Sequence, residues 1–121
     1  MQPQNIQKRI IINIEVIFKT MLFKILAINP GSTSTKIAIF EDETEKFVKN
    51  IKHSAEEIAK FDNVASQFQF RKDIILSELK NAGFNINEIN AIVGRGGLVK
   101  PIESGVYEVN EALINDLNNP P

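Results

Sequence analysis

The chain of 121 residues has no cysteine and a single histidine, His53. Without cysteine it cannot form a disulfide scaffold, a thiolate zinc site or a cysteine nucleophile, and one histidine excludes a His-rich metal centre. Charge of one sign is also scarce, because the net charge is −1 and no block of like charge occurs. Nucleic acid and anionic membranes are therefore not expected partners. Long hydrophobic runs are missing too, since the longest uncharged apolar stretches are too short to span a bilayer.

The first twenty residues differ in pattern from the rest of the chain. Lys8 and Arg9 precede an apolar run that resembles a signal peptide, but Glu15 interrupts the run and no small-residue cleavage site follows. We expect one folded domain over residues 21–121. Residues 1–20 are expected to be a poorly ordered leader or a translated upstream region, with an extra edge strand as the alternative.

Hydrophobic patterns in the remainder predict a mixed α/β layer arrangement that opens with a three-strand antiparallel meander. The predicted strands cover residues 22–28, 36–41, 45–52, a buried segment at 91–93 that ends in Gly94, and 106–109. The predicted helices are a short one that begins at Ser54, a longer one over 64–82 and the first turns of another over 111–117. This order is typical of the start of a ribonuclease-H-like half-domain, as in actin-like ATPases. The expected stripe of the longer helix consists of Ala65, Phe68, Lys72, Ile75, Leu79 and Ala82.

The segment from Asn29 to Lys36, with the sequence NPGSTSTK, is the first candidate site. It follows an apolar strand, turns at Pro30 and Gly31, and presents four hydroxyl residues before the lysine. Backbone N–H groups, hydroxyls and a cation at a sharp turn are the groups that hold the phosphates of a nucleotide. The same residues also fit an ordinary polar turn in which Ser and Thr bond locally to the backbone. The pattern is neither a Walker A loop nor a Rossmann loop, because only one glycine precedes the lysine.

The second candidate site is the sequence VGRGG at residues 93–97, in which Arg95 lies between glycines at the end of a strand. A planar guanidinium can make two hydrogen bonds to a carboxylate or a phosphoryl group, and Gly96 and Gly97 would let a substrate approach the backbone. The alternative is a glycine-rich connection with a solvated arginine. We favour the functional interpretation, because two such sites suit phosphoryl transfer, which depends mainly on positioning and charge neutralisation.

Three other groups are expected to be structural. His53 lies at a strand-to-helix junction with no evident partner, so a solvated or capping role is expected in preference to acid–base catalysis. The acidic cluster at 41–45 resembles a metal site only in composition, and an exposed charged turn is expected there. Four aromatic residues are expected in the core, namely Phe61, Phe68, Phe70 and Phe84.

Residues 28–41, with the sequence INPGSTSTKIAIFE, resemble the amino-terminal signature of the acetate and butyrate kinases. Residues 53–76 and 91–117 are similar to the butyrate kinases in particular. Pro30 stands where acetate kinases usually carry alanine. The resemblance covers essentially all of residues 21–121.

The resemblance implies an actin-like two-domain ATPase fold in a cytoplasmic enzyme that forms homo-oligomers at full length. It implies transfer of a phosphoryl group between ATP and a short-chain carboxylate, with Mg²⁺, and butanoyl phosphate as the expected product. By position, Asn29 matches the residue associated with the metal and the phosphates. Arg95 matches the catalytic arginine that meets the carboxylate and the transferring phosphoryl group, beside Gly96 and Gly97. The matching phosphate-loop residues are Gly31, Ser32, Ser34 and Lys36.

The chain also departs from the family, whose members are much longer. The family's second arginine, its catalytic acidic residue and its adenosine pocket have no counterpart in these residues. The sequence therefore resembles a truncated, amino-terminal portion of a kinase, which we expect to be inactive alone. The alternatives are a non-catalytic module that binds a nucleotide or a partner, or another actin-like phosphotransferase such as an acetate kinase.

Overall fold

The computed structural model describes residues 22–96 and 99–120. Within these residues, a four-stranded sheet has the order β3-β2-β1-β4. β1 pairs antiparallel with β2, and β2 pairs with β3 in the same sense, which confirms the predicted meander. β4 pairs parallel with β1, so the sheet is mixed. The strands are β1 Lys24–Pro30, β2 Ser34–Glu41, β3 Thr44–Lys52 and β4 Ala91–Gly94.

Three α-helices are present in the described part of the chain, and side-chain caps mark the start of two of them. The Ser54 hydroxyl accepts a hydrogen bond of 3.1 Å from the N–H of Glu57, whose carboxylate accepts one of 2.9 Å from the N–H of Ser54. This capping box confirms the predicted start of the first helix. The Asn110 side chain likewise accepts the N–H of Leu113 over 2.9 Å. The helices are α1 Ala55–Ala59, α2 Phe68–Asn81 and α3 Glu111–Asn118.

Helix α2 packs against one face of the sheet, and its buried side chains follow a row with a spacing of four residues. A 3₁₀ turn, Ala65–Gln67, precedes it, so the α-helix begins later than the sequence predicted. The buried row contains Gln67, Arg71, Ile75 and Leu79. The predicted stripe was therefore right at Ile75 and Leu79. It was wrong at Phe68, which is 68% exposed, and at Lys72 and Ala82, which are also exposed. At the start of α2 the observed row is therefore rotated relative to the predicted stripe. An apolar pattern does not indicate this face, because the face includes an arginine, a residue type that is rarely buried without hydrogen-bond partners.

The core lies between α2 and the near face of the sheet. Side chains on alternate positions of β1, β2 and β3 point towards α2, as the two-residue period of a strand requires. Phe84 is partly buried and packs against this core, as expected. Phe61 and Phe70 are partly buried outside the core cluster, and Phe68 is exposed. The buried apolar cluster consists of Leu26, Ile37, Ile39, Ile51, Ile75 and Leu79.

Two predicted strands differ from the structure. All four residues of β4 are exposed, although the apolar sequence predicted a buried strand. β4 lies at the edge of the sheet and, among the described residues, pairs only with β1. Residues 106–109 are not a strand, and Val106 is 95% exposed. A β-branched sequence there has no neighbouring strand with which to form a ladder within the described part of the chain.

Candidate phosphate-binding loop

The β1–β2 hairpin brings the first candidate segment to one edge of the sheet. Asn29 lies opposite Lys36 in the antiparallel register. The N–H of Gly31 donates a hydrogen bond of 2.7 Å to the carbonyl oxygen of Ser34, which closes the turn. A Cβ atom at Gly31 would lie 3.3 Å from Oγ of Ser34, closer than most such contacts in proteins. The close approach of backbone and hydroxyl therefore favours glycine at this position.

The two faces of β2 separate the loop's side chains into two groups. Thr35 is 1% exposed and lies on the same face as Ile37, towards α2. Strand alternation places positions 34 and 36 on the opposite face, and position 29 shares that face because it is paired with Lys36. The predicted phosphate ligands Asn29, Ser34 and Lys36 thus lie on the face away from α2.

The carbonyl groups of the loop are bound from the protein interior. Nη2 of Arg71 donates hydrogen bonds to the carbonyl oxygens of Gly31, at 2.6 Å, and Ser32, at 3.5 Å. Nη1 of Arg71 donates to the carbonyl oxygen of Ser34 at 2.9 Å. One guanidinium from α2 therefore orients three carbonyls of a loop that lies about forty positions earlier in the sequence.

The fourth loop carbonyl is bound from the end of β3. The N–H of His53 donates a hydrogen bond of 2.8 Å to the carbonyl oxygen of Thr33. By contrast, the N–H groups of Ser32 and Thr33 have no acceptor among the described residues, and both residues are exposed. Successive N–H groups that are left free while the carbonyls are bound from within make an anion-binding surface. This arrangement favours the phosphate-loop interpretation over an ordinary polar turn.

Arg71 and Gln67 form the support of the loop, and neither was identified from the sequence. Arg71 is 8% exposed and Gln67 is 5% exposed. Oε1 of Gln67 accepts hydrogen bonds from Nε of Arg71, at 3.0 Å, and from Nη2, at 2.9 Å. Burial lowers the pKa of the Arg71 guanidinium, which remains charged at neutral pH because arginine is not deprotonated in proteins. The available signal was their spacing, since both residues fall in the four-residue row that continues to Ile75 and Leu79.

His53 is buried, which contradicts the expected solvated role. Nη1 of Arg71 donates to Oγ1 of Thr35 over 2.9 Å, so the Thr35 hydroxyl proton is directed to Nε2 of His53, 2.8 Å away. This network assigns the imidazole proton to Nδ1, a buried atom with no partner among the described residues. Burial lowers the pKa of His53, Arg71 lowers it further, and Glu57 has the opposite effect. The histidine is therefore a neutral hydrogen-bond acceptor under the loop. The sequence did not indicate this role, because the partner Thr35 lies eighteen positions away.

Arg95 lies at the same end of the strands as the loop. Its N–H donates a hydrogen bond of 2.9 Å to the carbonyl oxygen of Ile28. The β1–β4 pairing is fixed at its other end by Asn90, whose N–H donates to the carbonyl of Lys24 at 2.8 Å and whose Oδ1 accepts the N–H of Lys24 at 2.8 Å. The parallel pairing ends at Ile28 and Gly94, so the next residue of each chain segment, Asn29 in β1 and Arg95 after β4, lies at the same end of the paired strands. The structure therefore brings the two predicted sites together, with Arg95 exposed.

The remaining predicted positions add less to the site. Gly96 is exposed directly after Arg95, and Gly97 lies outside the described residues, as do residues 1–20. No group of three His, Cys, Asp or Glu side chains in residues 22–96 and 99–120 has the arrangement of a metal site. The exposed amide of Asn29 is an oxygen ligand of the kind that Mg²⁺ accepts when nucleotide phosphates and waters supply the others.

Comparison with known proteins places this geometry in context. No protein-family model matches the chain. Butyrate kinase 1 of Clostridium acetobutylicum is 55% identical over 96 residues, which are 79% of this chain and 27% of that relative. Butyrate kinase 2 of the same organism is 56% identical over 97 residues, and a probable butyrate kinase of Clostridium botulinum is 54% identical over 97 residues. By sequence, the chain is similar to an amino-terminal part of the butyrate kinases.

The match to the butyrate kinases confirms the family that the loop sequences indicated. The chain spans 27% of the length of each of these butyrate kinases and corresponds to an amino-terminal part of them. No helix in the described residues is both long enough and apolar enough to cross a bilayer.

Proposed function

We propose that the chain provides the phosphate-binding wall and the substrate arginine of an ATP-dependent carboxylate kinase. The reaction would convert butanoate and ATP to butanoyl phosphate and ADP, with the carboxylate oxygen forming the new bond to the γ-phosphorus as the bond to ADP breaks. The observation that carries this proposal is the loop at residues 31–34, whose carbonyls are all bound from within while two N–H groups are free among the described residues. The butyrate kinase relatives supply the substrate class.

Each loop residue has a proposed role in binding the nucleotide. The N–H of Ser32 and the hydroxyls of Ser32 and Ser34 would bind phosphate oxygens, and Gly31 would allow the phosphates to approach the backbone. Lys36 would add a positive charge from the exposed face of β2. Asn29 would provide an oxygen ligand to Mg²⁺, which when bound neutralises charge on the phosphates.

Arg95 is the proposed catalytic residue. Arg95 is exposed and directly follows β4, at the strand end that also carries Asn29. Its guanidinium would bind the carboxylate of butanoate and the charge that develops on the transferring phosphoryl group. The backbone of Gly96 and Gly97 would leave space for the substrate beside it. A fork of two donors suits both groups, since each presents paired oxygens.

The proposal extends to the setting of the site. The mixed sheet fits the first part of a ribonuclease-H-like half-domain of an actin-like ATPase, and the family resemblance favours a cytoplasmic enzyme that is homo-oligomeric at full length. The adenosine pocket, a second arginine and a catalytic acid are expected outside these residues, so the complete reaction is proposed only together with such groups.

A chimeric enzyme tests the proposed function directly. Residues 22–120 would replace the matching segment of butyrate kinase 1 of Clostridium acetobutylicum, which is similar enough in sequence to accept them. Butanoyl phosphate formed from ATP and butanoate would be trapped with hydroxylamine. We expect turnover by the chimera and a loss of at least about 100-fold in kcat/KM for Arg95→Ala, because a charged contact made in the transition state is lost.

The matched control is Lys80→Ala, which removes an exposed cation from the far end of α2. It should leave kcat/KM within about twofold of the parent chimera. An Arg95→Ala chimera with unchanged turnover would refute the catalytic assignment. A chimera that prefers acetate to butanoate would favour the acetate kinase alternative.

A further inference from the structure

The buried cation under the loop has a position that stability alone does not explain. Arg71 is the fourth residue of α2, near the amino-terminal end of the helix, where the helix dipole favours acidic side chains over cations. It is also 8% exposed, so its charge has lost most of its hydration. Both effects oppose folding, and residues that break local rules in this way are expected at functional sites.

No anionic partner offsets the charge of Arg71 within the described part of the chain. Its hydrogen bonds go to neutral acceptors, namely the side chains of Gln67 and Thr35 and the carbonyls of the loop. None of the ion pairs found among these residues includes it. The uncompensated charge therefore raises the electrostatic potential at the outer side of the loop, where it favours an anion.

The guanidinium also fixes the shape of the loop. Its planar guanidinium donates to the carbonyls of Gly31 and Ser34 from two different nitrogens. A lysine has only one ammonium nitrogen and cannot reproduce this geometry. The carbonyls of the loop are thus bound by Arg71 and by the N–H of His53, while the N–H groups of Ser32 and Thr33 have no acceptor among the described residues. A single residue therefore combines a geometric and an electrostatic effect on the outer surface of the loop.

We propose that Arg71 is a positioning residue of the nucleotide site, which turns the loop N–H groups towards the phosphates and supplies positive charge from behind the sheet. This inference rests on the proposed function, because the ligand is the polyphosphate of ATP. Arg71 itself does not touch the ligand, since it lies on the face of β2 that carries Thr35, opposite Ser34 and Lys36.

The test uses the 121-residue chain and two probes, MgATP and sodium triphosphate. Dissociation constants would be measured by amide chemical-shift titration for Arg71→Gln, Arg71→Lys and the matched control Lys72→Gln. Lys72 is the next cation along α2 and is exposed. Each titration would be made where urea unfolding shows the variant to be fully folded, so that lost stability does not count as lost affinity.

We expect Arg71→Gln to raise both dissociation constants at least about tenfold and Arg71→Lys to raise them about threefold, because lysine keeps the charge and loses the fork. Lys72→Gln should change them less than about twofold. The salt dependence of affinity should also weaken in Arg71→Gln and persist in Arg71→Lys. An Arg71→Gln chain that is less stable but binds both probes as the parent does would refute the proposal, since a merely structural arginine gives that result.

A second measurement separates this inference from the proposed function. Hydrogen exchange at the amide of Gly31, which donates to the carbonyl of Ser34, reports the stability of the loop without any ligand. Arg71→Lys should accelerate it at least about tenfold relative to amides in the core. If the parent chain bound neither probe, the nucleotide site would be refuted, and faster loop exchange would still support the positioning of the loop by Arg71. If Arg71→Gln did not fold, Arg71→Lys would decide, because unchanged exchange and affinity in that variant would overturn the proposal.

Discussion

The hydroxyl of Thr35 lies 2.8 Å from Nε2 of His53 and joins the second strand to the segment that follows the third. The same hydroxyl accepts a hydrogen bond from Arg71, so three side chains share one buried network beneath the candidate phosphate loop. Such a network stabilises the fold only while every member keeps its partner. Its members therefore give sharp tests of the structure.

Replacement of Thr35 by valine should destabilise the chain by about 1–3 kcal/mol, because a nearly isosteric side chain leaves a buried guanidinium donor and a buried imidazole acceptor unpaired. Thr35→Ser keeps the hydroxyl and should cost less than Thr35→Val. Urea unfolding of both variants measures the difference. Equal free energies of unfolding for the two variants would contradict the network.

Acid should destabilise the protein through His53. Burial and the neighbouring Arg71 lower the pKa of this histidine below its ordinary value of 6.5. The unfolded chain then binds the proton at a pH where the folded chain does not. The contribution is fully present above the unfolded pKa and is lost as the pH falls from that value through the folded pKa, at no more than about 1.4 kcal/mol per pH unit.

A His53→Gln variant provides the comparison for this pH dependence. Glutamine can still accept from Thr35 but does not titrate, so its free energy of unfolding should change less between about pH 7 and pH 5 than that of the parent. Carboxylates titrate mainly below that window. Parallel pH profiles for the parent and the variant would show that His53 does not titrate with folding.

Two glycines should respond differently to alanine. At Gly31, the new Cβ would lie 3.3 Å from Oγ of Ser34 and disturb the loop, so we expect weaker MgATP binding at nearly unchanged stability. At Gly83, φ is +86° and nothing crowds the Cβ position, so Gly83→Ala should cost about 1 kcal/mol of stability with no change in binding. Paired titration and unfolding measurements on the two variants test this contrast. The assignment of the loop would be wrong if Gly83→Ala weakened binding more than Gly31→Ala.

The buried face of α2 can be tested with two large side chains that the sequence placed on one stripe. Leu79 is 1% exposed and Phe68 is 68% exposed. Leu79→Ala should cost about 2–5 kcal/mol through loss of contacts and the resulting cavity. Phe68→Ala should cost less than about 1 kcal/mol, because exposed positions contribute little. Thermal or urea unfolding measures both losses of stability. A larger loss for Phe68→Ala than for Leu79→Ala would show that α2 is rotated relative to this structure.

The elements that local chemistry specifies were predictable from the sequence. The meander, the capping box at Ser54 and the cap at Asn110 each depend on residues within a few positions of one another. The candidate loop and Arg95 were found in the same way, from turn residues after apolar strands. Their meeting at one edge of the sheet follows from the parallel pairing of β1 with β4.

The parts that were missed depend on pairs far apart in the sequence. Nothing local distinguishes Arg71 from a solvated cation, since its acceptors lie in a loop about forty positions away. His53 was misassigned for the same reason, because its partners are Thr35 and the carbonyl of Thr33. The predicted strand at 106–109 failed because β-propensity describes how well a residue fits a sheet and does not supply a neighbouring strand.

The pairing of β1 with β4 has a consequence for the order of folding. The hairpin that carries the candidate loop closes over a few residues, whereas the contact between Lys24 and Asn90 closes a loop of 66 positions. Contacts between distant residues slow folding, because chain entropy is lost before they form. We therefore expect the β1–β2 hairpin to form before β4 pairs with β1 and places Arg95 beside the loop. Pulse-labelled hydrogen exchange during refolding should then detect protected amides in β1 and β2 earlier than in β4. The two parts of the candidate site would then form at different times, with Arg95 joining the loop after the hairpin is complete.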